Sequence, residues 1–60
     1  MTTKLRDKRH EHKLLQIDIA KRASISLRAY QYYERGERSP DVKTAKKIAK
    51  VFDCQIEDIF

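Results

Sequence analysis

Sixty residues suffice for one small domain, since a chain this short buries only ~60% of the surface that its unfolded form exposes. Hydrophobic residues make up 40% and charged residues 38%, against a usual ~25% charged, so a thin core must lie under a heavily charged surface. Fourteen Lys/Arg against nine Asp/Glu give a net charge of +5, and the pI of about 9.6 exceeds the ~9 that marks a nucleic-acid-binding domain. One cysteine, Cys54, excludes an internal disulfide framework. No apolar run approaches the ~20 residues that cross a bilayer, and the first residues lack the apolar core of a signal peptide. A multidomain enzyme, a membrane protein and a cystine scaffold are thereby excluded, leaving one basic domain over residues 1–60, expected in the cytoplasm.

Alternating apolar runs are absent and Gly and Pro occur once each, so short strands with turns have no support while helical spacing recurs. A first helix is predicted to start after Thr2 or Thr3, either a fit N-cap, and to run from Lys4 to about His12. Its apolar face holds Leu5, Arg9 and His12, so Arg9 needs a partner if that face packs inward. Leu14 to Ala23 reads as a second helix, with Leu15, Ile19 and Ala23 four apart and Ala20 beside them. Ser24-Ile25-Ser26 interrupts it. Ser26 is placed to cap a third helix from Leu27 to about Arg35, and Gly36 sits where a left-handed end residue belongs. Pro40-Asp41 opens a fourth helix with apolar positions Val42, Ala45, Ile48, Ala49 and Phe52. After the turn Asp53-Cys54-Gln55, a last short helical turn carries Ile56, Ile59 and Phe60. The predicted fold class is all-α, with five short helices.

At about 100° per residue, the third helix puts Tyr30, Tyr33 and Ala29 on one face and Arg28, Gln31, Tyr32 and Arg35 on the other. Arg and Gln carry donors and acceptors that match base edges in the major groove, guanine and adenine respectively. The same four residues would also serve as an ordinary solvated face, and the wheel alone leaves both readings open. A tyrosine between two arginines suits stacking or phosphate contact and tips the balance towards the first.

The segment Gln16-Ile17-Asp18-Ile19-Ala20-Lys21-Arg22-Ala23-Ser24-Ile25-Ser26, followed by Tyr33-Glu34-Arg35-Gly36-Glu37-Arg38-Ser39-Pro40, resembles the helix-turn-helix core of the Cro and phage-repressor (XRE) family. Ile48-Ala49-Lys50-Val51-Phe52-Asp53 and Ile56-Glu57-Asp58-Ile59-Phe60 are similar to its fourth and fifth helices, so the likeness covers essentially the whole chain. The resemblance implies a lambda-repressor-like helix-turn-helix domain. It implies that Gln16 opens the second helix at a phosphate and that Ala20 lets the second and third helices cross closely. By the same likeness Ile25, Tyr30 and Tyr33 are interior, and Ser26, Leu27, Arg28 and Tyr32 face DNA with Gln31 and Arg35 beside them. Arg9 and Glu34 match a family ion pair between the first helix and the end of the third.

Departures from the pattern concern stability. Ser24 stands where the family usually has glycine, and Lys13 and Asp53 stand where glycine commonly ends a helix; each implies a left-handed residue without glycine's freedom. Leu15 replaces the frequent polar cap before Gln16. Tyr30 is bulky and Ala45 small for their positions.

Other features have plain readings. His10 and His12 are two apart and point to different helix faces, so no metal is expected. Cys54 reads as a small hydrophobe. Lys43, Lys46, Lys47 and Lys50 form a mostly solvated run in which only Lys43 is placed for a phosphate. Glu57 and Asp58 lie on different faces, and no nucleophile has a His/Asp arrangement, so no catalytic site and no cofactor are expected.

The expectation is a sequence-specific regulator of double-stranded DNA that inserts its third helix into the major groove, associated with the nucleoid and without a small-molecule ligand. Leu27, Arg28, Gln31 and Tyr32 would read bases, while Gln16, Ser26, Arg35, Arg38 and Lys43 would hold phosphates. A homodimer, at least on DNA, would use Ile56, Ile59 and Phe60 in both core and seam. The alternative is an antitoxin- or antirepressor-like protein-interaction module on the same fold. A basic amphipathic membrane peptide is disfavoured by the acidic Asp53, Glu57 and Asp58.

Overall fold

A computed structural model describes residues 4–60. It holds four α-helices, α1 (Leu5–Glu11), α2 (Gln16–Arg22), α3 (Leu27–Arg35) and α4 (Val42–Val51), and a closing 3-10 turn over Ile56–Asp58. The expected fifth helix is therefore a single 3-10 turn, because Ile59 already leaves helical geometry after three residues. Among the described residues there is no strand. The Thr2/Thr3 cap expected for the first helix lies outside the described residues.

Helix starts follow local chemistry. Ser26 Oγ accepts from the Ala29 N–H at 3.1 Å, and Asp41 Oδ1 accepts from the Thr44 N–H at 2.9 Å, each satisfying an otherwise orphaned amide. Hydrogen bonds from Thr44 also hold the Asp41 carboxyl below its ordinary value. Leu15 offers no side-chain cap, and the bond runs the other way: Asp18 Oδ2 accepts from the Leu15 N–H at 2.9 Å. That half of a capping box stands in for the polar N-cap that Leu15 cannot supply.

Helix ends share one device. After α1, α2, α3 and α4 the chain turns through a left-handed residue, at Lys13 (φ 54°), Ser24 (φ 57°), Gly36 (φ 75°) and Asp53 (φ 53°). In each case the following amide reaches back five residues: Leu14 N–H to Arg9 C=O at 3.1 Å, Ile25 to Ala20 at 2.9 Å, Glu37 to Tyr32 at 3.0 Å and Cys54 to Ala49 at 3.0 Å. These are Schellman closures. Where no glycine is present, the residue after the left-handed one (Leu14, Ile25 or Cys54) packs against the core, and that anchor holds the strained residue in place. A left-handed non-glycine residue costs ~1–2 kcal/mol. Lys13→Gly and Ser24→Gly should therefore each stabilise the domain by about 0.5–1 kcal/mol after glycine's own entropic cost. That is a rise of several degrees in the midpoint of thermal unfolding; an unchanged or lower midpoint would mean that the surrounding turn carries no strain.

The core comprises Leu5, Ile19, Ala20, Ala23, Tyr30, Ile48, Ala49, Phe52 and Ile59, all nearly or wholly inaccessible. Ala20 lies buried on α2, whose most extensive interface is with α3. Two residues assigned to apolar seams face water instead: Leu15 is 65% and Val42 66% exposed. Leu15 precedes the helix in extended backbone, so the helical register does not apply to it; Val42 is the first residue of α4, before that helix meets its neighbours. Ile59 is pure core, whereas Ile56 is half-buried and Phe60 is 38% exposed, so only the latter two offer surface for a seam. Ala45 is buried beneath an apolar groove beside Pro40, Val42, Ile56 and Phe60. His12 ends α1 with its ring tilted against Phe52, centroids 5.4 Å apart.

Candidate nucleic-acid interface

The third helix is two-sided, as its wheel predicts. Tyr30 is wholly buried and Glu34 nearly so, with Tyr33 half-buried against the core. Ser26, Leu27, Arg28 and Arg35 are exposed, Gln31 and Tyr32 half-buried. Arg38 and Lys43 are exposed in the loop after α3 and the first turn of α4. Gln16 begins α2 and is half-buried against α3.

Behind this face lies the ion pair. Arg9 Nε donates to Glu34 Oε2 at 3.0 Å and its Nη2 to Oε1 at 3.0 Å, a two-pronged contact with side chains only 14% and 6% exposed. Arg9 Nη1 also donates to the Leu14 carbonyl at 3.1 Å, so one guanidinium ties α1 to the loop before α2 and to the end of α3. This is the partner that an arginine on an inward-facing helix side requires. Planar fork-to-fork geometry makes such a pair strong and directional. Burial pushes the Glu34 carboxyl up, but the Arg9 guanidinium, with Tyr30 and Gln16, outweighs it and holds the group below its ordinary value. Arg9 is correspondingly raised, chiefly by its bond to Glu34. The buried Tyr30 hydroxyl sits at this pair without a hydrogen bond of normal geometry, and burial first, then the Glu34 carboxylate, raise its phenol well above the usual value.

The network extends onto the exposed face. Gln16 Nε2 donates to Glu34 Oε1 at 3.3 Å, and Gln31 Nε2 donates to Gln16 Oε1 at 3.3 Å. Gln31, grouped with the solvated face by the wheel, is thus joined through Gln16 to the buried pair; the side chain-to-side chain link between helices gives no periodic signal in sequence.

Tyr32 is also engaged. The Arg38 guanidinium carbon lies over its ring, 4.6 Å from the centroid, with that of Arg35 at 5.6 Å. Both fall within cation–π range. Arg35 also meets Glu37 at 3.4 Å, with both side chains more than half exposed, an arrangement of little energetic weight.

An open cleft between α1, the start of α2 and the end of α3 is lined by Arg6, Arg9, Leu15, Gln16, Glu34 and Arg35. Arg6 was not singled out from sequence; it lies one turn before Arg9, and a wheel of α1 carries that signal. Burial and the neighbouring Asp58 push the Cys54 thiol up, away from the reactive thiolate. No described helix is long and apolar enough to cross a membrane.

A second helix closed onto a third by a tight left-handed turn, with a cationic face on the third, defines a helix-turn-helix domain. The chain belongs to the helix-turn-helix family, which it matches over residues 5–59. It is 43% identical over 60 residues to an uncharacterized HTH-type transcriptional regulator of Methanocaldococcus jannaschii, covering all of this chain and 91% of that protein. A similar regulator of Archaeoglobus fulgidus is 37% identical over 60 residues, with 84% of its length covered. The cryptic phage CTXphi transcriptional repressor RstR of Vibrio cholerae is 33% identical over 58 residues, which span 97% of this chain and 52% of the repressor. The protein is a transcriptional regulator of helix-turn-helix, XRE type.

Proposed function

We propose that the protein is a sequence-specific, Cro-like repressor that inserts α3 into the major groove of double-stranded DNA. The observation that carries this reading is the division of α3 into a buried aromatic and carboxylate side and an exposed side with Leu27, Arg28 and Arg35. A helix fits the width of the groove. Arg28 reads guanine, Leu27 meets a thymine methyl, and Gln31 and Tyr32 complete the base contacts. Gln16, Ser26, Arg35, Arg38 and Lys43 hold phosphates and fix register. The Ser26 oxygen accepts from the Ala29 N–H, which leaves the hydroxyl hydrogen to donate to a phosphate. Repression, rather than activation, is the reading that the phage repressor among its relatives favours.

The protein acts as a two-fold homodimer on half-sites about one helical turn, ~34 Å, apart. The exposed Val42 and Phe60, beside a groove floored by Ala45 and Ile56, supply the apolar surface for that seam. Selection of bound sites from a random duplex pool tests the reading. Two inverted half-sites should be enriched, and binding to unselected duplex should fall steeply with salt through counterion release. Absence of any enriched sequence contradicts base reading by α3, whereas enrichment of a lone half-site rejects only the dimer.

A further inference from the structure

Arg35 and Arg38, both assigned to phosphates, are exposed, and no strong ion pair fixes either. Arg35 meets Glu37 at 3.4 Å with both side chains more than half exposed, and among the described residues Arg38 enters no ion pair. What the two share is Tyr32: their guanidinium carbons lie 5.6 and 4.6 Å from the centroid of its ring. That ring is a firm support. Tyr32 is half-buried on α3, and its backbone carbonyl accepts from the Glu37 N–H at 3.0 Å. The bond belongs to the turn that closes the helix, so the residue before Arg38 is tied to the residue whose ring Arg38 covers.

An arginine side chain has much rotamer freedom to lose, and a free one loses it on meeting its ligand, at a cost to affinity. Attraction to the face of an aromatic ring acts on the cation's charge and requires no hydrogen bond from it. Such a contact orders the guanidinium while its N–H donors stay available for phosphate oxygens. We infer that Tyr32 is a positioning residue for phosphate binding: its ring presents Arg38, and from a greater distance Arg35, to the DNA backbone, in addition to the base contact proposed for Tyr32 itself. This rests on the DNA-binding reading of α3 and the loop after it.

The test is the factor by which Arg38→Ala weakens binding to random duplex, where base contacts are averaged out. It is measured in three backgrounds: wild type, Tyr32→Phe, which keeps the ring and removes the hydroxyl, and Tyr32→Leu, which keeps apolar bulk and removes the ring. A thermal melt establishes that each variant folds, and Tyr32→Gln takes the place of Tyr32→Leu if the latter does not. The factor should be the same in the wild-type and Tyr32→Phe backgrounds. Without the ring it should shrink by about 2- to 5-fold, the worth of one exposed cation–π contact. A merely structural role for Tyr32 lowers binding with and without Arg38 alike, so equal factors in all three backgrounds overturn the inference. A factor that shrinks as far with Tyr32→Phe as with Tyr32→Leu assigns the effect to the hydroxyl and overturns it too. In either case an enriched site in the selection experiment leaves groove insertion standing. If wild type enriches no sequence and its binding to random duplex does not depend on salt, the DNA-binding reading fails and the inference with it.

Discussion

Glu34→Gln is expected to leave the domain largely unfolded at 37 °C. The substitution removes the charge that balances Arg9, whose side chain is only 14% exposed. It also sets an amide among donors, because Arg9 and Gln16 both donate to this carboxylate. Removing one partner of a buried pair costs ~3–5 kcal/mol, and a core of this size supplies roughly the same, ~3–5 kcal/mol. The cost therefore cancels the stability rather than trimming it. Arg9→Met combined with Glu34→Leu should recover part of the loss, since replacing both charges with apolar groups leaves none unpaired. A melting curve for Glu34→Gln that superimposes on wild type would refute the pairing.

The same pair makes a pH statement. Glu34 titrates below its ordinary value of 4.5, so the folded state holds the carboxylate more tightly than the unfolded chain. Its stabilisation is fully present above that ordinary value and is lost as pH falls through the lower folded value. Acid unfolding should accordingly steepen below about pH 4, and a Glu34→Leu/Arg9→Met protein should lack that component. Equal acid sensitivity in the two proteins would assign the effect to other carboxylates.

Arg28→Ala and Arg38→Ala should weaken DNA binding in different ways. Arg28 is exposed in the first turn of α3, where a bidentate contact to guanine is worth ~1–3 kcal/mol against other bases. Its loss should relax preference at one operator position and leave the others unchanged. Arg38 is in the loop, held over the Tyr32 ring at 4.6 Å, and a phosphate contact there carries no sequence information. Arg38→Ala should weaken all duplexes alike and reduce the salt dependence by about one charge. Titration of both variants against the selected site, its single-base variants and random duplex, at several salt concentrations, separates the roles. A uniform loss from both substitutions would show that neither arginine reads a base.

Much of the architecture is carried by local signals. Ser26 and Asp41 cap helices because a short side-chain oxygen beside a helical run can reach the third amide, a property of nearby chain alone. Gly36 takes the left-handed geometry that ends α3. The wheel of α3 separates Tyr30 from Arg28 because a period of about 3.6 residues requires it, and burial follows that division. Other expectations failed where a local pattern meets a tertiary boundary. Leu15 matches the spacing of Ile19 and Ala23 yet lies before the first helical residue, and Val42 has apolar character with nothing packed over it. The last helical segment stops at one 3-10 turn because Ile59 has to enter the core.

What the sequence determined by itself was the all-α class, the extents of α3 and its caps, the excess of positive charge and the division of the third helix into two faces. All of these depend on neighbours within a few residues or on composition. Only the tertiary structure decided that Gln16 would join Gln31 to the buried Arg9–Glu34 pair, that Tyr32 would lie under Arg38, and that Arg6 would share a cleft with Arg35. Those contacts join side chains from separate segments, Arg9 to Glu34 across 25 residues and Gln16 to Gln31 across 15. Their geometry is set by how the helices cross, and helical periodicity encodes the face of each helix but not the partner it meets.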